Sequence, residues 1–164
     1  MDLHPLSILR ILILATLANG TPVVAKKIFG GWAAWPLDGG MIFLDGRPLF
    51  GASKTVRGIV LGVLASALGA SLMELPWTVG LGAGAAAMAG DLLSSFLKRR
   101  LGLASSGRAT GLDQLPESLF AFLACLGALP LSVLDILLGV ALFFVGEVLL
   151  SRLLFRLRLR DRPY

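Results

Sequence analysis

The stretch that decides the fold is residues 76–97, which read PWTVGLGAGAAAMAGDLLSSFL. It carries no charged residue before Asp91, and nine of the eleven positions from Gly80 to Gly90 are glycine or alanine. A helix needs roughly 20 mainly apolar residues to span a bilayer. Small residues let such helices approach one another closely. The stretch therefore predicts a transmembrane helix packed tightly against its neighbours.

Four further apolar stretches flank this one, and the chain is 56% hydrophobic with a mean hydropathy of +0.84. A soluble domain of 164 residues does not carry such a composition. We therefore predict an all-α integral membrane protein with about five transmembrane helices, forming a single membrane domain over residues 1–164. The fourth stretch is short and contains Pro130. The four stretches are Leu6–Ala25, Gly58–Leu75, Leu119–Leu134 and Ile136–Phe155.

The first apolar stretch has the features of a retained anchor and not those of a signal peptide. Its start, with Met1, Asp2 and His4, provides no basic region, and its apolar run is long for a signal peptide. The single Cys125 lies in the fourth stretch and has no disulfide partner. We expect this cysteine to pack or to face lipid.

Positive charge is concentrated on one side of the predicted membrane domain. With five spans, fourteen of the fifteen Lys and Arg residues fall in the loops 26–57 and 98–116 or in the C-terminal tail, and only Arg10 stands apart. The positive-inside bias predicts a multi-pass protein of the cell membrane with its N-terminus outside and both loops and the tail in the cytoplasm. The tail arginines are explained by topology and by anionic lipid headgroups. No signature of nucleic-acid binding accompanies them.

The first cytoplasmic loop, residues 26–57, is too polar to span the membrane and is rich in glycine and aromatic residues. Trp32 and Trp35 are of the kind that settle at the headgroup level. We expect this loop to lie against the membrane, with a short strand or turn near Met41–Leu44.

Asp91 is a carboxylate at the end of an apolar helix, and Ser94, Ser95 and Lys98 follow on the same helical face. A carboxylate near membrane depth costs several kcal/mol unless it is paired, hydrated or bound to a metal, which makes it a candidate functional residue. The alternative is an ion pair with Lys98 or Arg99 that only anchors the end of the helix.

Asp113 is a second acid and lies in the loop 98–116. Lys98, Arg99 and Arg108 flank the two acids Asp91 and Asp113. Two acids from separate segments, surrounded by basic groups, suit magnesium-assisted phosphoryl or nucleotidyl transfer. A turn or a helix cap before the fourth span is the alternative role for Asp113. Zinc is disfavoured, because the chain has one histidine and one cysteine.

The first loop also contains a group of residues suited to holding an anion. Gly46 and Gly51 have the glycine spacing of a Walker motif, but the lysine follows two residues too late. Gly51, Ser53, Lys54 and Thr55 nevertheless precede the second span, where backbone donors and a lysine can bind an anion. A lysine that only anchors the chain at the membrane surface is the alternative.

Asn19 lies deep in the first span, where its amide needs a partner on a neighbouring helix or a lipid headgroup. Intramembrane polar residues of this kind also occur in small transporters and lipid-binding proteins, which form the competing functional class. The other polar residues cluster at one membrane face and, apart from Asn19 and Glu147, do not continue outward. This distribution favours an enzyme.

Several motifs in order along the chain are similar to those of one known family. They are Asn19-Gly20-Thr21-Pro22, Pro36-Leu37-Asp38, Asp45-Gly46-Arg47-Pro48-Leu49-Phe50-Gly51, Ser53-Lys54-Thr55, Arg57-Gly58, Gly90-Asp91, Ser94 to Gly102 and Gly111-Leu112-Asp113-Gln114-Leu115-Pro116. On these residues the chain resembles the CDP-archaeol synthase family, over most of its length. That family is similar to the phosphatidate cytidylyltransferases, whose signature is matched here by Ser95, Leu97, Lys98 and Arg99 and later by Asp113. The larger family's Lys-Asp pair and His-Gly-Gly are missing, which places the resemblance in the archaeol branch.

The resemblance implies that CTP and an isoprenoid glycerol-ether phosphate react, with Mg2+ as cofactor, to give a CDP-lipid and pyrophosphate. The residues themselves do not distinguish ether-linked from ester-linked lipid chains. A lipid kinase and a CDP-alcohol phosphotransferase are alternative enzymes, but the Asp-Gly-Ala-Arg type of motif of the latter is absent.

The resemblance implies six kinds of role. Two acids are expected to bind the metal, basic residues the phosphates, small residues of the first loop the nucleotide, a serine of the third span the substrate, an amide of the first span the lipid headgroup, and three further charged residues to shape the first loop. The metal ligands are Asp91 and Asp113; the phosphate-binding residues are Lys54, Arg57, Arg99 and the catalytic Lys98; the nucleotide residues are Gly51, Ser53 and Thr55; Ser95 binds substrate, Asn19 lies at the lipid headgroup, and Asp38, Asp45 and Arg47 shape the loop.

Overall fold

A computed structural model describes residues 2–103 and 111–156. Five helices account for most of these residues, and β structure within them is limited to two isolated bridges. The predicted all-α architecture with five helices is therefore confirmed. Arg108 and the tail arginines at 158, 160 and 162 lie outside the described residues. The helices are α1 (Pro5–Phe29), α2 (Val56–Leu72), α3 (Trp77–Arg100), α4 (Gln114–Ala124) and α5 (Val133–Arg156).

Three of the five helices are long and apolar enough to cross a membrane, namely α1, α3 and α5. Helix α2 is a shorter apolar helix of 17 residues. Helix α1 continues past its predicted end to Phe29 and α3 continues to Arg100, so the two connecting segments are shorter than expected. They comprise residues 30–55 and 101–113.

The fourth apolar stretch differs from the expected span Leu119–Leu134. Helix α4 begins earlier, at Gln114, and ends at Ala124. Its 11 residues cover only about 16 Å. Gly127 has a low helix propensity. Pro130 has no backbone N–H to donate a hydrogen bond, and it disfavours helical backbone angles at Leu129 before it. The chain therefore continues through turns, in which the amide of Leu129 donates to the carbonyl of Cys125 at 3.0 Å.

Small residues bring α1, α2 and α3 into close contact, as predicted for the third helix. A Cβ atom added at Gly80 would lie 2.6 Å from the Cβ of Ala70, and one added at Gly84 would lie 2.8 Å from the Cβ of Ser66. The Ser66 hydroxyl in turn donates to the carbonyl of Leu14 on α1 at 2.9 Å. The backbones are thus too close to admit side chains at these positions.

We expect Gly80→Leu to destabilise the protein by about 3 kcal/mol, because the new side chain overpacks the contact between α2 and α3. Gly82→Leu is the matched control, since nothing lies within 4 Å of a Cβ at Gly82 on the same helix. Thermal unfolding in detergent would measure both. Equal midpoints for the two variants would contradict the packing described here.

The start of α1 is tied to the start of α5 at the end of the bundle opposite residues 30–55. The backbone amide of His4 donates to Asp135 Oδ1 at 2.9 Å, and its ring Nδ1 lies 2.8 Å from Asp135 Oδ2. The amide and hydroxyl of Ser132 also donate to Asp135 Oδ2. Asp135, which is fully buried, therefore holds the far end of the bundle together.

Candidate active site

The carboxylate of Asp38 organises the segment 30–55. It accepts hydrogen bonds from the amides of Gly40 (3.0 Å), Phe50 (2.9 Å) and Gly51 (3.0 Å). Burial raises the pKa of Asp38, but these three amides outweigh it and lower the pKa below its usual 3.8. Beyond Asp38 the chain turns back on itself, with an isolated bridge between Ile42 and Pro48 where a short strand or turn was predicted.

We expect Asp38→Asn to loosen this segment at neutral pH, since a neutral amide accepts these hydrogen bonds more weakly. Amide hydrogen exchange at Phe50 and Gly51 should rise roughly fivefold. Because the folded pKa is depressed, the stabilisation is complete above pH 4 and is lost as the pH falls through the folded pKa. Acidification should therefore loosen the wild type and leave the variant little changed. Exchange that is equal at pH 7 in wild type, Asp38→Asn and a control Asp2→Asn would contradict this role.

Two arginines dock this segment onto the end of α3. Arg47 donates to main-chain carbonyls in the last turn of α3, including that of Arg100. Arg100 forms an ion pair with Asp45 at 2.6 Å, and its guanidinium lies 4.7 Å from the ring centroid of Phe43 and 4.9 Å from that of Phe96. The loop-shaping roles of Asp38, Asp45 and Arg47 thus agree with the contacts. The contribution of Arg100 was not predicted.

Asp91 on α3 forms an ion pair with Lys54, which lies in the segment 30–55. The Lys54 ammonium lies 2.5 Å from Asp91 Oδ2, and both side chains are about one-fifth exposed. The alternative role predicted for Asp91 was an ion pair with Lys98 or Arg99 at the end of the helix. The observed partner is Lys54, which comes from the first loop. A Cβ at the preceding Gly90 would lie 2.6 Å from the Cα of Glu117, so α3 and α4 touch beside Asp91.

Asp113 is paired with Lys98 from the last turns of α3. The Lys98 ammonium lies 2.7 Å from Asp113 Oδ1, in an ion pair without hydrogen-bond geometry. Lys98 is nearly buried, with a side chain that is 11% exposed, whereas that of Asp113 is 28% exposed. The two predicted acids and two of the predicted lysines therefore form two ion pairs that join both loops to α3.

Glu117 is a third acid of this region, and it was not among the predicted site residues. It lies in the first turn of α4 and is 2% exposed. Its Cα lies against Gly90, the residue before Asp91, and Asp113 stands four residues earlier in the chain. Its Oε1 atom is buried and has no hydrogen-bond partner among residues 2–103 and 111–156. The one signal in the sequence was its helical spacing of four residues from Asp113.

The amide of Asn19 reaches a neighbouring helix, one of the two partners predicted for it. Its Nδ2 donates to Glu147 Oε1 on α5 at 3.1 Å. Pro22, about one turn after Asn19 on α1, lies against the start of α2, where a Cβ at Gly58 would be 3.2 Å from the Cβ of Pro22. Asn19 therefore lies about one turn from the contact between α1 and the helix that follows Lys54.

The remaining predicted residues surround these pairs in different ways. The Thr55 hydroxyl accepts from the amide of Gly58 and caps α2, and Arg57 donates to the carbonyls of Gly30 (3.1 Å) and Trp32. Gly51 is buried and its amide donates to Asp38, whereas Ser53 is exposed. Ser95 and Arg99 are buried in α3 at 2% and 5% exposure. Roles of these residues in binding substrate stay predictions.

The carboxylates present are compatible with a magnesium ion. No three His, Cys, Asp or Glu side chains converge into a complete metal cage within the described part of the chain. Mg2+ does not require such a cage, because it commonly uses one or two carboxylates together with water and substrate phosphates. Asp91 and Asp113 are partly exposed oxygen donors from two segments, which fits this mode of binding.

Comparisons with known proteins agree on one family. The family model described as CarS-like, CDP-archaeol synthase, matches residues 5–79 and 76–164. A CDP-archaeol synthase of Hyperthermus butylicus is 41% identical, over 77% of this chain and 76% of the relative. One of Sulfurisphaera tokodaii is 33% identical, over 92% and 90%. A solved structure, described as an intramembrane enzyme for archaeal membrane lipids biosynthesis, is 29% identical with a TM-score of 0.74 and covers 89% of this chain and 93% of its own.

The solved structure and both curated relatives match most of the chain. The predicted resemblance is thereby confirmed, and this chain belongs to the CDP-archaeol synthase family.

Proposed function

We propose that CTP and a lipid phosphate react where the segment 30–55, the last turns of α3 and the start of α4 meet. The observation that carries this proposal is the pair of Lys–Asp contacts, Lys54 with Asp91 and Lys98 with Asp113, where the buried Glu117 packs against α3 beside Asp91. Charged groups of both signs at this depth fit a reaction between two phosphate-bearing substrates inside the membrane.

As a member of its family, the protein is an enzyme of membrane lipid biosynthesis. It transfers the cytidylyl group of CTP to a lipid phosphate. An oxygen of the lipid phosphate attacks the α-phosphorus of CTP, the bond from that phosphorus to the bridging β-phosphate oxygen breaks, and pyrophosphate leaves. The products are a CDP-lipid and pyrophosphate.

The lysines supply the positive charge that this displacement needs. Each lysine is already held by a carboxylate, Lys54 by Asp91 and Lys98 by Asp113, so its position does not depend on substrate. Lys54 belongs to the docked segment and Lys98 to α3, which lets them contact phosphates from two sides. Such preorganised charges lower the barrier because they need little rearrangement as negative charge develops.

We assign the binding of Mg2+ to the carboxylates of Asp91 and Asp113. A magnesium ion held there with the phosphates of CTP would neutralise their charge and orient them. Arg57 and Arg99 provide further positive charge, and Gly51, Ser53 and Thr55 lie on the same segment as Lys54, where they can contact the nucleotide. Asn19 lies on the side of α5, where the lipid headgroup would enter.

The orientation follows from the same arrangement. The basic ends of α1 and α3 and the segment 30–55 lie at one end of the bundle, opposite the His4–Asp135 contact. CTP is a cytoplasmic nucleotide, so we place this end at the cytoplasm and the N-terminus outside, with the whole chain as one membrane domain. The family name also leads us to propose an isoprenoid-ether lipid phosphate as the substrate.

The test is an assay of purified protein in detergent with Mg2+, a lipid phosphate and CTP labelled at the α- or at the γ-phosphate. We expect α-label in the lipid product and γ-label in pyrophosphate. Transfer of γ-label to the lipid would reveal a lipid kinase instead. A panel of ether- and ester-linked lipid phosphates measures the preference between them, and equal kcat/KM for both linkages would contradict the ether-lipid assignment.

A further inference from the structure

Helices α1 and α5 face each other, but over a large part of their length they do not pack closely. One cavity of about 190 Å3 lies between them near Asn19 and Glu147, and a second of about 200 Å3 lies nearer the start of α1. Leu12 and Leu142 line both cavities, so the two are adjacent. We call the two cavities together the α1–α5 groove.

The groove changes in polarity along its length. The first cavity contains the hydrogen-bonded Asn19–Glu147 pair and the side chain of Ser151, whereas the second is lined only by apolar residues, among them Leu9 and Leu138. From Asn19 to Pro5, the first residue of α1, the two cavities follow the helix for about 21 Å, roughly two-thirds of a bilayer's hydrocarbon thickness. A polar end followed by a long apolar passage is the pattern of an amphiphile.

The polar end of the groove lies close to the candidate active site. Pro22, about one turn after Asn19 on α1, packs against the start of α2: a Cβ at Gly58 would lie 3.2 Å from the Cβ of Pro22 and 3.0 Å from the hydroxyl of Thr55, the residue after Lys54. The other side of the groove is open, since Gly146 and Leu142 are exposed on a membrane-spanning helix and therefore face lipid. The polar end of the groove thus lies between the bilayer and the segment that carries Lys54.

We infer that the α1–α5 groove holds a hydrocarbon chain of the lipid phosphate, with the phosphate directed past Asn19 toward Lys54. This inference rests on the proposed function and adds a binding site for the apolar part of the substrate. Inside a bilayer the hydrophobic effect does not favour the groove over surrounding lipid. The groove instead aligns the chain, so that the phosphate arrives in a reactive position.

Two matched pairs of variants test this site. Gly146→Leu places a side chain in the groove, and Gly82→Leu places the same side chain in open space on α3; neither position has an atom within 4 Å of a new Cβ. Leu138→Trp fills the apolar cavity. Its matched control is Leu137→Trp, which makes the same change at the adjacent residue, whose side chain does not line the groove. Gel filtration and thermal unfolding establish that each variant folds.

We expect Gly146→Leu to lower kcat/KM for lipid phosphates by about tenfold or more, with the KM for CTP changed less than about twofold. Leu138→Trp should lower kcat/KM for long-chain lipid phosphates and spare short-chain ones, which keeps the test decisive if Gly146→Leu does not fold. Gly82→Leu and Leu137→Trp should resemble wild type. Groove variants that match their controls with every chain length would overturn the inference.

A second measurement does not depend on turnover. A lipid phosphate with a photoreactive group in its chain should label peptides of α1 and α5, and excess lipid phosphate should displace it better than excess phosphatidylcholine does. Equal displacement by both lipids would mean that ordinary bilayer lipid fills the groove. An absence of label, with crosslinks between copies of the chain across α1 and α5, would assign the groove to a dimer contact. Either result overturns the inference, whereas a wild type that makes no CDP-lipid from any lipid phosphate would overturn the proposed function itself.

Discussion

Asp91→Asn and Asp113→Asn are each expected to lower kcat on the order of 1,000-fold while the protein still folds. Each substitution keeps the shape of the side chain and removes its negative charge. The change removes a candidate oxygen ligand of Mg2+ and also releases a lysine, Lys54 in one case and Lys98 in the other. Single-turnover formation of CDP-lipid at saturating CTP would measure the loss.

Glu74→Gln is the control for this prediction, because it removes one carboxylate in the turn after α2, away from the ion pairs. It should keep turnover within about twofold of wild type, as surface substitutions generally do. Asp91 would be no more than an anchor for Lys54 if the double variant Asp91→Asn, Lys54→Gln recovered near wild-type turnover. We expect the double variant to be at least as impaired as Asp91→Asn alone.

Lys54→Gln is expected to raise the KM for CTP about 100-fold, the effect of removing one partner from a partly buried charge contact with phosphate. The reason is that Lys54 carries positive charge from the segment 30–55 to Asp91, where the triphosphate is proposed to bind. Initial rates at varied CTP and fixed lipid phosphate would measure the change.

The matched control is Lys27→Gln, which removes the same charge from an exposed position at the end of α1. It should change the KM for CTP less than about twofold, because exposed charges are well screened. A Lys54→Gln variant with a normal KM for CTP and a raised KM for the lipid phosphate would reassign this lysine to the other substrate.

The helices could be predicted from the sequence because apolar runs of spanning length have few structural alternatives in a bilayer. The fourth stretch was the exception. Its composition is apolar through Leu134, but Gly127 and Pro130 end regular helix well before that, and α4 starts at Gln114 within a segment that looked like loop. Hydropathy reports where a chain enters lipid, and local backbone chemistry decides where the helix ends.

The acids and lysines of the candidate site could be predicted, whereas their pairing could not. Asp91 and Lys98 share a helical face, which made them natural partners, yet Asp91 pairs with Lys54 and Lys98 with Asp113. These contacts depend on how the segment 30–55 docks onto α3 through Arg47 and Arg100. A loop with several glycines carries no periodic pattern from which such docking could be read.

Glu117 and Asp135 were not identified as candidate residues from the sequence, for a related reason. Each stands near a helix end, where an acid ordinarily caps the helix or faces water. Glu117 is buried because glycine at position 90 lets α4 lie directly against α3, and Asp135 is buried because the start of α1 folds over it at His4. Burial of these acids arises from contacts between distant segments, which a single sequence does not specify.

In our proposal Asp91 and Asp113 together support Mg2+-dependent cytidylyl transfer between the two loops. This claim is tested by a titration of CDP-lipid formation with Mg2+ in wild type, Asp91→Asn, Asp113→Asn and Glu74→Gln. We predict that both aspartate variants need at least about tenfold more Mg2+ for half-maximal rate, and that Glu74→Gln follows wild type. Half-maximal Mg2+ concentrations that are the same in all four proteins would contradict the claim.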